Sequence, residues 1–153
     1  MAKIIIMISK KDIINTLNDL VEDKLQQINN LIEDLRKSNT ETKSSMGDKY
    51  ETSREMLNQE INHLLGQQKI ALEHQILIKS LKDENHQKIQ KGSVVKTLLG
   101  NFIIVTSFGE FIFQDQKFTS ISSRTPLAIA MLGKQNGDEF VLNNHHFQIL
   151  EIY

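Results

Sequence analysis

Two carboxylates at a polar break are the residues of this chain best placed to do chemistry. Asp48 and Glu51 stand three residues apart, just after Gly47, where the sequence reads Ser-Ser-Met-Gly-Asp-Lys-Tyr-Glu. The spacing alone favours a structural role, with Asp48 as a helix N-cap and Glu51 closing a capping box. A carboxylate engaged in a cap has to turn outward before it binds anything. Lys37, Lys43, Lys49 and Arg54 cluster around the same break. Lys49 and Arg54 are candidates for contact with RNA phosphates, although a solvated charged turn is the commoner meaning of such a cluster. The histidines are His63, His74, His86, His145 and His146, and no two of them have the helical spacing of a metal site. Solvated histidines are expected. Cysteine is absent, which excludes disulfides, thiolate metal sites and thiol nucleophiles.

The elements that position these residues follow from pattern. The chain has 153 residues, 18 basic and 19 acidic, for a net charge of −1. A protein that grips duplex DNA by releasing counterions carries a clear positive excess, so direct non-specific nucleic-acid binding is disfavoured. The apolar run Ile4 to Ile8 is too short for a secretory core or a membrane span, and a cytoplasmic protein that makes no contact with membranes is expected.

Composition shifts near Lys91-Gly92. Before it, Leu and Ile recur at helical spacing among polar residues; after it, Val, Ile, Phe and Thr come in short runs punctuated by glycine. Ile14, Leu17, Val21, Ile28, Leu31 and Leu35 make one apolar seam, widened by Leu25 and Ile32, with Lys24 interrupting it. From Lys11 to about Lys37 such a helix would run roughly 40 Å. The stretch from Ser38 to Asp48 breaks the pattern with capping and turn residues. A second seam uses Leu57, Ile61, Leu64, Ala71 and Ile78, with Leu72 and Ile76 widening it and Gln68 and Gln75 inside it. Two stripes joined by a short polar turn predict an antiparallel hairpin over residues 1–90, its tip near 38–51.

Residues 91–153 predict strands at Ser93–Leu98, Phe102–Ser107, Glu110–Phe113, Phe118–Ser122, Glu139–Leu142 and His146–Ile152. Asn143-Asn144 suits a tight hairpin turn. Thr125-Pro126 starts a short helix that Gly133 ends. The expected fold class is α+β: a long helical hairpin followed by a small antiparallel β domain with one short helix. All seven phenylalanines lie in this second half, and their alternation with other apolar residues places them in a core before it suggests a base-stacking platform.

One ordered set of segments resembles a known family. Gly92-Ser93-Val94-Val95, Ile121-Ser122-Ser123-Arg124-Thr125-Pro126-Leu127-Ala128, Leu132-Gly133-Lys134, Gly137-Asp138-Glu139 and Phe147 to Ile152 follow one another as in the FKBP-like C-terminal domain of the Gre transcript cleavage factors. The hairpin resembles their N-terminal coiled coil, and Gly47-Asp48-Lys49-Tyr50-Glu51 resembles their acidic tip. The resemblance implies a partner, RNA polymerase, whose secondary channel the hairpin enters. It implies that Asp48 and Glu51 help hold a magnesium ion at the polymerase active centre, near the nascent RNA 3′ end, where backtracked RNA is cut by the polymerase itself. The factor would then be no enzyme and would hold no cofactor when isolated. A hairpin folded on itself favours a monomer. Magnesium takes hard oxygen ligands and keeps several waters, so one or two carboxylates suffice where phosphates supply the rest. Arg124, Thr125 and Pro126 fall where the family docks on polymerase.

Departures accompany the likeness. Thr52 stands where the family has asparagine, Glu55 where it has an aromatic, and Arg124 where Asp or Asn precedes Ser-Pro. Reversing a charge at a docking contact costs affinity. The alternatives are a secondary-channel regulator that does not stimulate cleavage, and a coiled-coil adaptor for some other protein. A prolyl isomerase is suggested by fold alone, which does not carry function.

Overall fold

The computed structural model describes residues 9–42 and 49–153. Two helices come first, α1 (Lys10–Thr42) and α2 (Lys49–Lys79). Six strands and one short helix follow: β1 (Val94–Thr97), β2 (Asn101–Ile104), β3 (Gly109–Phe113), β4 (Gln116–Ile121), α3 (Pro126–Met131), β5 (Glu139–Leu142) and β6 (His145–Ile152). The chain divides into two compact units, one of Asp19–Ile76 and one of Leu77–Tyr153 with the described residues up to Asn18.

The helical unit is an antiparallel hairpin. Asn29 accepts a hydrogen bond from Gln68 at 2.7 Å, and Asn39 donates one to Asn58 at 3.1 Å. Rising numbers on α1 meet falling numbers on α2, so the helices run in opposite directions. The α1 seam consists of Val21, Leu25, Ile28 and Ile32, all buried, with Leu35 half-buried. This corrects the predicted seam, because Leu31 is exposed and Ile32 takes its place. The seam changes only at these alternate positions, where Leu25 and Ile32 are buried in place of Lys24 and Leu31, while Val21, Ile28 and Leu35 keep their expected places. The α2 seam keeps strict four-three spacing, with Ile61, Leu64 and Ala71 buried and Leu57, Gln68 and Gln75 half-buried. Leu72 and Ile76 do not widen it; both are exposed.

In the second unit, Ser9 opens α1: its backbone carbonyl accepts from Ile13 N–H at 3.1 Å and its hydroxyl from Asp12 N–H at 3.3 Å. The acidic Asp12 in the first turn suits the positive end of the helix. The sheet has the order β3-β4-β2-β1-β6-β5. It is mixed, which corrects the all-antiparallel expectation: β2 and β4 pair in parallel, from Asn101 opposite Phe118 to Ile104 opposite Ile121. After β2 the chain passes to the sheet edge as β3 and turns back through Gln114-Asp115, and this return seats β4 beside β2 in the same direction. Gln114 and Asp115 both have positive φ (49° and 61°), as do Asn143 and Asn144 (52° and 64°) at the β5–β6 turn. Two successive left-handed residues make the hairpin turn whose twist matches the strands.

One face of the sheet packs Val95, Phe102, Ile104, Ile121, Phe140 and Ile149 against Ala128 and Met131 of α3 and Ile89 of the preceding segment. Phe118 is fully buried, with ring centroids of Phe111 and Phe113 at 5.8 and 6.0 Å. The expectation of core phenylalanines holds for Phe102, Phe111, Phe113, Phe118 and Phe140. Thr125 caps α3 as predicted: its hydroxyl accepts from Ala128 N–H at 3.2 Å and donates to Ser122 C=O at 2.9 Å, and Pro126 occupies the first turn.

Candidate functional site

Three groups of residues carry the functional expectations. The first is the end of the hairpin. Asp48 lies outside the described residues, as does Lys43. Lys49 belongs to α2, as its first residue. Glu51 is in the first turn of α2 and exposed, two turns beyond the Asn39–Asn58 hydrogen bond. An acidic side chain there is favoured by the helix dipole, so its position is stabilising whether or not it meets a ligand. Arg54 is half-buried, and Thr52 and Glu55 are exposed on the same segment. No group of three or more carboxylates, histidines or cysteines that would hold a metal ion exists among the described residues.

The second group is the start of α3. Arg124 and Pro126 are exposed, while Thr125 is half-buried with its hydroxyl committed to the cap. Arg124 N–H donates to the Ser122 hydroxyl at 3.2 Å, which fixes the turn that displays the guanidinium. Arg124 and Pro126 are therefore available to a partner, and Thr125 works by shaping the turn.

The third group was not foreseen. Lys10 is buried, and its ammonium donates to Glu84 C=O at 2.5 Å and Tyr153 C=O at 3.3 Å. Burial pushes its pKa down, against the pull of Asp83 and Glu84. Nearby, His86 Nδ1 lies 2.7 Å from the Ser93 hydroxyl, and that oxygen also accepts from Gln90 N–H at 3.0 Å. Partial burial and the Lys10 charge lower the His86 pKa, with Glu84 opposing. A neutral imidazole with its proton on Nε2 accepts a hydrogen bond from the Ser93 hydroxyl; a protonated one would leave that buried hydroxyl facing two donors with no acceptor for its own O–H. Gly92 stands beside this pair with φ of 91°, and a Cβ there would come within 3.3 Å of Leu81 and 3.5 Å of His86. The positive φ favours glycine, and a side chain there would also press on Leu81. A cavity of about 250 Å³ opens against this segment, lined among others by Lys82, Glu84, His86 and Lys91. The one sequence signal was Gly92-Ser93 itself, noticed for another reason. Of the other histidines, His63, His145 and His146 are exposed as expected, whereas His74 is half-buried.

On the sheet, a depression of about 370 Å³ is lined by Leu99, Phe102, Leu127 and polar neighbours, with Glu110 and Lys117 paired at 2.8 Å among them. Phe102 is the one aromatic in that lining, and it is buried in the core. An aromatic cage for a prolyl ring is not formed there.

The class of protein these features define is a helical hairpin with an acidic first turn on its second helix, joined to a mixed-sheet domain. No family model matches the sequence, and no curated protein does. Among solved structures, the chain is similar to GreA factor homolog 1 (Gfh1) of Thermus thermophilus, with 18% identity and a TM-score of 0.37, over 89% of this chain and 94% of that one. A second structure of the transcription factor Gfh1 gives 18% identity and 0.34 over 90% and 93%, and Thermus aquaticus Gfh1 gives 16% and 0.33 over 91% and 95%.

Proposed function

We propose that this chain is a transcription factor of the Gre type, which binds RNA polymerase and inserts its helical hairpin into the secondary channel. The observation that carries the reading is the hairpin itself: two antiparallel helices in fixed register, with Glu51 exposed at the start of the second. Asp48 and Glu51 supply negative charge at the polymerase active centre, where magnesium shared with the polymerase would activate water for cleavage of backtracked RNA. In this reading Glu51 and Asp48 are the acidic residues of the hairpin, and Lys49 and Arg54, close to them in sequence, meet RNA phosphate. Arg124 and Pro126, displayed by the Thr125 cap, dock on the polymerase surface. The ordered motifs of residues 92–152 support this assignment.

A second reading has specific support. Thr52 and Glu55 replace the family's asparagine and aromatic beside the acidic pair, and both are exposed. In this reading these replacements change the surroundings of the carboxylates, and the factor occupies the channel without stimulating cleavage. A transcript cleavage assay on a stalled, backtracked complex of the cognate polymerase decides between the two. RNA shortening by the wild type, lost in Asp48→Asn/Glu51→Gln while binding persists, establishes the acidic-tip mechanism. Binding without shortening establishes the channel regulator, and no binding removes both.

A further inference from the structure

The segment between α2 and β1 walls the cavity of about 250 Å³, and its lining sets Lys82, Lys91 and His86 against a single carboxylate, Glu84. Lys82 and Lys91 are exposed and form no ion pair among the described residues. The buried ammonium of Lys10, which donates to the Glu84 carbonyl, adds positive charge behind the same segment. His86 contributes a donor whose proton is fixed. The Ser93 hydroxyl accepts from Gln90 N–H, and its own proton has no acceptor among the described residues but His86 Nδ1. The ring proton therefore sits on Nε2. That N–H has no acceptor among the described residues. Gly92 leaves the ring uncovered, since a Cβ there would reach within 3.5 Å of it.

We propose that this cavity binds hydrogen phosphate. Two ammonium groups answer the two charges of the ion, and the Nε2–H of His86 donates to a further oxygen. A neutral ligand would leave both lysines unanswered, and a metal cation would meet more positive charge than negative. Glu84 decides between oxyanions. Hydrogen phosphate carries one O–H, which a carboxylate accepts; sulfate carries none at neutral pH, so its oxygens would face the carboxylate with no proton between them. A site built around that hydrogen bond rejects the ion that lacks the donor. The cavity is open to water and its charges are partly screened, so binding is weak. The proposal concerns the β unit alone and does not rest on the proposed function.

An NMR titration of the full chain with inorganic phosphate tests it, at about pH 7.5 where the imidazole is neutral and with sodium chloride holding ionic strength constant. The ring nitrogen shifts of the free protein should place the proton on Nε2. Phosphate should move the His86 signals along a saturating curve with its midpoint at about 1 mM. Sulfate should bind roughly tenfold more weakly. Lys82→Ala/Lys91→Ala removes two exposed side chains, so the melting temperature should hold while saturation is lost. Glu84→Gln should bring sulfate within about twofold of phosphate. Shifts that stay linear in phosphate overturn the proposal, as does saturation that persists in the lysine double variant, sulfate that equals phosphate on the wild type, or a ring proton found on Nδ1.

Discussion

The hairpin and the β unit hold themselves together by different means. The hairpin relies on one aliphatic stripe per helix, with Gln68 and Gln75 set into the seam and Ala71 where a larger side chain would fill space. Beside Ala71 a cavity of about 180 Å³ remains, lined by Lys24, Gln67, Ile70 and His74. The β unit closes its core with stacked phenylalanines and ties distant segments by backbone hydrogen bonds, such as Ile89 N–H to Lys134 C=O at 2.9 Å and Gly133 N–H to Ile89 C=O at 2.8 Å. A two-helix seam open to water on its flanks tolerates polar residues; a core closed between a sheet and a helix does not. The difference teaches that the two units should respond to damage unequally.

The sharpest contrast should come from Phe118→Ala, which empties a fully buried site between Phe111 and Phe113 and is expected to cost about 3–5 kcal/mol. Near-UV circular dichroism, which sees the aromatic core, should lose cooperativity while far-UV helical signal persists. Leu64→Ala should cost less, about 2–3 kcal/mol, because a two-helix seam beside water collapses more readily than a sheet core. Urea melts followed at 222 nm measure it, and equal losses for the two variants would erase the contrast. Thr125→Ala, which removes the α3 cap, should cost about 1 kcal/mol. If Arg124 and Pro126 dock on polymerase, the same change weakens binding more than it lowers the melting temperature.

The gentlest effect is a pH gradient at His86. Its folded pKa is below the ordinary 6.5, so as pH falls the unfolded chain takes up the proton first. The stability from the neutral form is complete above about 6.5 and declines until the folded pKa is passed, where the decline stops. Histidine NMR titration should show the low value, and His86→Gln should flatten that part of the stability curve. A measured pKa at or above 6.5 would refute the assignment.

Much of this architecture was legible from local chemistry. Polar breaks, the Thr125-Pro126 cap and the strand alternation act within a few residues of themselves, and the helices and strands appear close to where they were expected. The misses share one cause. The parallel pairing of β2 with β4, the shift from Leu31 to Ile32, and the meeting of Lys10 with Glu84 and Tyr153 all depend on what arrives from far along the chain. Gln114-Asp115 lacks the usual Asn-Gly signature, so its turn was hidden even locally. In the candidate site, Glu51, Arg124 and Pro126 are exposed, whereas the His86–Ser93 pair was invisible without the fold.

The Gln68–Asn29 hydrogen bond has a mechanical meaning. An apolar seam is nearly periodic, so α2 slid by one heptad along α1 would still find aliphatic partners; the sliding distance is about 10 Å. A slide of one heptad could set Gln75 against Asn29, but it would set Leu65 where Asn58 meets Asn39, so the two polar pairs are satisfied together in one register. Together they make the hairpin a calibrated gauge: they set how far Glu51 protrudes, at the expense of some seam stability.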